Sequence, residues 1–133
     1  MFEITSPATI FEVAELGGAR TQLHWAILKE MHANGHTWTV HVDGQPIALL
    51  GVYEANGVAE CWFNPTLKLA RHMRPMIAAM RLTLATLDYP LIVVVCATEA
   101  GRRIASLAGF QFAETINDKE IWRYDRSIVR RRR

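Results

Sequence analysis

Apolar positions at the start of the chain recur at helical spacing, and further on they alternate. Phe2-Glu3-Ile4 reads as a short strand. Ile10, Val13, Ala14 and Leu16 then place one apolar stripe on a helix that Ser6-Pro7 would start and Gly17-Gly18 would end. Leu23, Ala26, Ile27 and Met31 repeat that spacing on a second helix, with Gly35 as its stop. The period then shortens to two. Trp38, Val40 and Val42 alternate with Thr37, Thr39 and His41, which predicts a strand with one apolar and one polar face. Asp43-Gly44 and Asn56-Gly57 are hairpin signals on either side of a return strand over residues 47–53, with Pro46 at its start. Residues 58–63 complete this meander.

A basic segment follows, with Lys68, Arg71, His72 and Arg74. Pro75 belongs in the first turn of the next helix, because in mid-helix it would cost roughly 3 kcal/mol. Met76, Ile77, Met80, Leu84 and Leu87 supply the core face of that helix, and Tyr89-Pro90 breaks it. Residues 91–96, LIVVVC, are apolar without alternation, the pattern of a central strand covered on both faces. Thr98 caps a short helix with Ile104, Leu107 and Ala108 inside and Gly109 just past its end. Residues 110–114 and 120–124 are two final strands joined at Asn117-Asp118.

The order is β-α-α-β-β-β-α-β-α-β-β. It predicts a single α/β domain over residues 1–126 with a mixed, mostly antiparallel sheet, followed by a basic tail over residues 127–133. The strand–helix–strand connection through Pro75 suits a right-handed crossover, so a central parallel pair is expected there.

Composition narrows the function classes. The 133 residues are 50% hydrophobic and 21% charged, as in a compact globular chain. No apolar run reaches the ~20 residues of a membrane span. The first residues lack a signal-peptide pattern, so a cytoplasmic protein is expected. The two cysteines, Cys61 and Cys96, lie in strands and form no CxxC pair, which argues for buried free thiols. His32 and His36 are separated by a helix stop, and no metal site is expected. The net charge is only +2, and much of the basic excess is Arg130, Arg131, Arg132 and Arg133. Such a run reads as a solvated tail, with nucleic acid or an acidic protein as its candidate partner.

The candidate chemistry lies where the third meander strand breaks at Asn64-Pro65 and leads into the basic segment. A strand feeding a helix offers free N–H groups and partial positive charge to an anion. Lys68, Arg71, His72 and Arg74 are candidate phosphate contacts, with an acidic partner, packaged DNA or a plain solvated basic turn as the alternatives.

This order and spacing resemble the GNAT acyltransferase superfamily. Thr98 to Phe110, TEAGRRIASLAGF, looks like the family's fourth helix and its GF exit, and Trp62-Phe63-Asn64-Pro65 resembles the end of its fourth strand. Glu60-Cys61-Trp62-Phe63 with the basic helix after it also resembles the small internal virion proteins of short-tailed phages, themselves GNAT-like. The first resemblance implies acetyl-CoA as cofactor, Glu60 as candidate general base, and Trp62, Phe63, Asn64, Lys68, Arg71 and His72 as candidate cofactor contacts. Glu60 also has a plainer reading, as an outward-facing residue paired with a lysine or arginine.

Two departures stand against catalysis. The family's Q/R-x-x-G-x-G/A loop becomes a stretch with Lys68 at its first position and Leu69, Arg71 and Met73 at or near its small positions. Side chains there would obstruct backbone approach to a pyrophosphate unless the loop is rebuilt. The family's fourth-helix tyrosine falls on Ala105, and its asparagine on Thr98. The leading expectation is therefore a phage or prophage protein with a degenerate GNAT fold, acting in virion assembly or inside the virion. It would need no cofactor and have other virion or assembly proteins as partners, in the host cytoplasm or the virion. The alternative is an acyl-CoA-dependent N-acetyltransferase with a non-standard cofactor loop.

Overall fold

The structure, a computed structural model, describes residues 1–125. The boundary expected at residue 127 and the arginine tail lie outside the described residues. The elements run β1 (Phe2–Thr5), α1 (Ile10–Leu16), α2 (Gln22–Asn34), β2 (His36–Val42), β3 (Gln45–Ala55) and β4 (Val58–Pro65). A 3-10 turn (Leu67–His72) leads into α3 (Met73–Thr86), then β5 (Leu91–Cys96), α4 (Glu99–Ala108), β6 (Gln111–Ile116) and β7 (Lys119–Asp125). This is the order read from the sequence. The seven strands form one mixed sheet, β1-β2-β3-β4-β5-β7-β6. As expected, β4 and β5 are parallel, while β1–β2, β2–β3, β5–β7 and β6–β7 are antiparallel. Contacts gather the chain into two compact units: Met1–Glu54 with Trp62–Met73, and Ala55–Cys61 with the chain from Arg74 onward.

In the first unit the start of α1 differs from the expectation. Its cap is Thr9. The Thr9 hydroxyl accepts from the Glu12 N–H (3.1 Å), and Glu12 Oε1 accepts from the Thr9 N–H (2.8 Å), a reciprocal capping box. Ser6 is drawn away by a tertiary acceptor, donating its hydroxyl to the Thr37 carbonyl at 2.6 Å. The apolar face of α2 is also shifted. Leu28 is buried and Trp25 half-buried, because they pack with Ala8, Val13 and Leu49. Leu23 and Ile27, expected inside, are 72% and 49% exposed.

The side of β2 read as polar is sealed. Thr37 and Thr39 are fully buried, and so is Val40 on the opposite face. The two threonines tolerate this because each has a partner. Thr37 Oγ1 accepts from the Ala8 N–H (3.0 Å), and Thr39 Oγ1 donates to Glu12 Oε1 (3.0 Å). His41 Nε2 lies 2.7 Å from Glu12 Oε2. Burial pushes the Glu12 carboxyl up, but the Thr9 N–H, His41, Thr39 and the Thr9 hydroxyl outweigh it and hold it below its ordinary value.

In the second unit Pro75 sits in the first turn of α3, as expected, and Met76, Met80 and Leu84 are buried. Thr98 caps α4 by accepting from the Gly101 N–H at 3.0 Å. Gly109 closes that helix at φ 110°, a conformation that costs a side chain dearly, and the Phe110 N–H returns to the Ala105 carbonyl at 3.0 Å. Phe110 then packs on Tyr124, ring centroids 5.7 Å apart. The reading of β5 as covered on both faces fails. Ile92 and Cys96 are buried, whereas Leu91 and Val95 on the other face are 36% and 41% exposed. Lack of alternation in LIVVVC reflects an apolar face left open, not one that is covered.

Candidate functional site

The break after β4 is built by tertiary hydrogen bonds within the first unit. Asn64 Nδ2 donates to the Gly17 carbonyl at 3.1 Å. The Thr66 N–H and the Thr66 hydroxyl both donate to the Ile47 carbonyl, at 2.9 and 2.7 Å. The chain is thus clamped to β3 and enters the 3-10 turn, where the Leu69 N–H donates to the Thr66 carbonyl at 3.1 Å. Because the Thr66 hydroxyl faces Ile47, it makes no capping bond to the turn that follows. The first N–H groups of that turn therefore have no side-chain acceptor from their cap residue.

The candidate contacts divide on this frame. Lys68 and Arg71 are exposed on the turn, with Lys68 Nζ donating to Gln45 Oε1 at 3.1 Å. His72 is half-buried, its ring centroid 6.4 Å from that of Phe2. The structure so brings Lys68, Arg71 and His72 together on one turn. Leu69, read as an obstruction in place of glycine, is only 2% exposed: its side chain turns into the core.

Trp62 packs on β3. Its indole lies against Gly51 of β3, where an added Cβ would sit 2.1 Å from the ring, and it packs against the Val13–Leu28–Leu49 cluster. Its Nε1 is buried with no hydrogen-bond partner among the described residues. Phe63 is half-buried.

Glu60 belongs to the second unit. It is exposed on β4, paired in register with Val93 of β5, and no ion pair reaches it among the described residues. The lysine or arginine partner of the plainer reading is absent there. The neighbouring thiol is disfavoured as a thiolate. Burial, with Glu60 and Cys96 adding negative potential, pushes Cys61 up to about 12. Burial raises Cys96 as well, and both cysteines are free. Ala105 is 5% exposed against the sheet, so no hydroxyl projects from that position of α4. Among the described residues no group of three or more His, Cys, Asp or Glu could hold a metal, and no helix is long and apolar enough to cross a membrane.

The Glu12–His41–Thr39 cluster was not singled out from the sequence. Thr9-x-x-Glu12 is the signal that could have found it.

No family model and no curated protein matches the chain by sequence. Solved structures do match in shape. A probable acetyltransferase of the GNAT family from Chromobacterium violaceum superposes with a TM-score of 0.71 at 14% identity, over 97% of this chain and 90% of that one. An N-acetyltransferase from Staphylococcus aureus gives 0.69 at 11% identity, over 96% and 99%. The Campylobacter jejuni N-acetyltransferase PseH, in complex with acetyl coenzyme A, gives 0.65 at 12% identity, over 94% and 99%. At these identities the likeness establishes the fold: a single α/β GNAT-like domain with a parallel β4–β5 pair. None of these three is described as a virion protein.

Proposed function

We propose that the chain is an acyl-CoA-dependent N-acyltransferase whose cofactor loop is rebuilt as a 3-10 turn. The observation that carries this reading is the burial of Leu69. The strongest argument against cofactor binding was that large side chains replace the glycines of the loop. Leu69 points into the core, so it leaves the outer surface of the turn to Lys68, Arg71 and His72.

These residues fit a phosphate-bearing ligand. The turn is clamped at its start by Thr66, its first N–H groups lack a side-chain cap, and two exposed cations stand on it. Lys68 and Arg71 would hold phosphate by charge, and Arg71 can do so with two parallel hydrogen bonds. Acyl-CoA supplies an activated thioester; the protein has only to bind it and present an amine. Glu60, exposed and free of ion pairs among the described residues, is the candidate acceptor for the proton the amine must lose. With Ala105 in α4, no tyrosine there protonates the leaving thiolate, and water is the simplest source.

The reading as a virion protein that keeps the fold for contacts alone rests on the glycine-free loop and on Ala105. The burial of Leu69 removes one of the three side chains in the first argument, leaving exposed Arg71 and half-buried Met73, and the acetyltransferase neighbours lend support to the enzyme reading. A thermal-shift series with acetyl-CoA, CoA and ATP tests the proposal. The melting temperature should rise with both CoA species and far less with ATP. Ligand at 100 times its dissociation constant adds about 2.7 kcal/mol, a shift of several degrees in a domain this small. No shift with acetyl-CoA at millimolar concentration would return the virion reading to first place.

A further inference from the structure

The open face of the second unit carries one row of side chains that runs straight across four strands. Register pairs Glu60 of β4 with Val93 of β5, Val93 with Arg123 of β7, and Arg123 with Gln111 of β6. Cross-strand partners project from the same face. Glu60 and Arg123 therefore stand on one surface with Val93 between them, and both are exposed. Two strand spacings put their backbones about 10 Å apart. Val95 and Leu91 flank Val93 on that face, 41% and 36% exposed, and Ile121 lies opposite Val95. The surface is an apolar strip with Glu60 at one side and Arg123 at the other, and register puts Asp125 opposite Leu91 and Glu114 opposite Ile121 on the same face. Neither Glu60 nor Arg123 is engaged in an ion pair among the described residues.

We infer that this row is the acceptor-recognition surface and that the acceptor is an amine joined through a short apolar spacer to a carboxylate. The inference rests on the N-acyltransferase reading and names the substrate class of that site. Glu60 faces the ammonium end. Val93 and Val95 accept the spacer, where an apolar chain loses water contact on both sides. Arg123 takes the carboxylate with a fork of two N–H donors, which a lysine at the same place would not match. In the transfer the ammonium gives a proton to Glu60, and the amine nitrogen forms a bond to the thioester carbonyl carbon. The carbon–sulfur bond breaks, the nitrogen sheds its second proton, and the CoA sulfur leaves with one proton. The net products are the amide, the free thiol and one proton to solvent.

The row also explains why β5 is apolar on a face the fold leaves open. A valine floor between opposite charges would weaken as a recognition surface if its spacer region were polar. A diamine would put its second cation at the Arg123 end, where Asp125 and Glu114 share the face, so putrescine tests whether the guanidinium governs that end.

The experiment is a competition between γ-aminobutyrate, butylamine and putrescine, with free CoA thiol measured. Calorimetry of each amine with the acetyl-CoA-free protein runs beside it. γ-Aminobutyrate should be preferred in kcat/KM by about tenfold or more, and it should give a measurable binding heat where butylamine does not. In Arg123→Gln that preference should collapse and the heat should vanish, with the acetyl-CoA dissociation constant unchanged. Arg123→Lys should recover part of the preference. If transfer proceeds but γ-aminobutyrate has no advantage, or Arg123→Gln keeps the full advantage, the acceptor assignment is overturned while the transferase reading stands. If γ-aminobutyrate binds through Arg123 but acetyl-CoA does not bind at all, the surface is upheld and the transferase reading falls.

Discussion

Two surfaces of the sheet treat their polar groups in opposite ways. Under α1, every polar side chain of β2 that is sealed from water is satisfied. Thr37 meets the Ala8 N–H, Thr39 meets Glu12, and His41 lies against the other Glu12 oxygen. On the open face of β4, β5 and β7, Glu60 and Arg123 stand exposed beside a strip of valine and leucine that nothing described covers. A buried polar network must be complete to be tolerated at all, and a complete one leaves no valence for a ligand. The first surface therefore reads as scaffold. The second keeps apolar area in water and charges unpaired, which folding alone does not require.

If that contrast is right, substitutions in the sealed layer should act on stability and those on the open face on ligands. Leu49 is fully buried in the α1–α2 cluster, and Leu49→Ala should cost about 3 kcal/mol in urea unfolding. Gly51→Ala comes next, at about 1–3 kcal/mol, because its Cβ would overlap the Trp62 ring, which cannot leave without opening the same core. A neutral Gly51→Ala would mean that the ring is not seated as described.

Glu12→Ala should cost about 1–3 kcal/mol by stranding the Thr39 hydroxyl and the Thr9 N–H. It should also change the response to acid. Glu12 is held below its ordinary value of 4.5 in the folded chain, so its stabilising contribution is present above 4.5. That contribution is lost as pH falls through the lowered folded value. Unfolding free energy followed from pH 7 downward should show this loss below 4.5 in the parent and a shallower one in Glu12→Ala. Parallel curves would break the scaffold side of the comparison. The smallest effect is expected from Val95→Thr on the open face, within about 0.5 kcal/mol of zero. A cost above 2 kcal/mol would mean that this face is covered after all.

The same contrast marks how far the sequence could be read. Element order was legible because the punctuation is local. Asp43-Gly44 and Asn56-Gly57 both adopt the paired positive φ of tight hairpins, and Gly109 ends α4 as its position predicts. What failed was tertiary. Ser6 and Thr9 are both good caps, and only the reach of Ser6 to the Thr37 carbonyl decides between them. The α2 stripe through Leu23 and Ile27 had the right period but the wrong phase, which is set by Val13 and Leu49 from elsewhere in the chain. LIVVVC could not reveal which of its faces stays open. Of the candidate site, Lys68, Arg71 and His72 share one 3-10 turn, as close neighbours in sequence do. The inward rotation of Leu69 depends on tertiary packing in the core of the first unit and could not be seen in the sequence.

Titration calorimetry with acetyl-CoA reads out directly whether the rebuilt turn binds acyl-CoA. A single saturable site is expected, with a dissociation constant of about 1–100 μM, in keeping with ordinary enzyme substrates. Arg71→Ala should weaken binding by roughly tenfold without lowering the melting temperature, since Arg71 is exposed. The absence of any binding heat up to millimolar acetyl-CoA, or an Arg71→Ala variant that binds as tightly as the parent, would contradict binding at this turn.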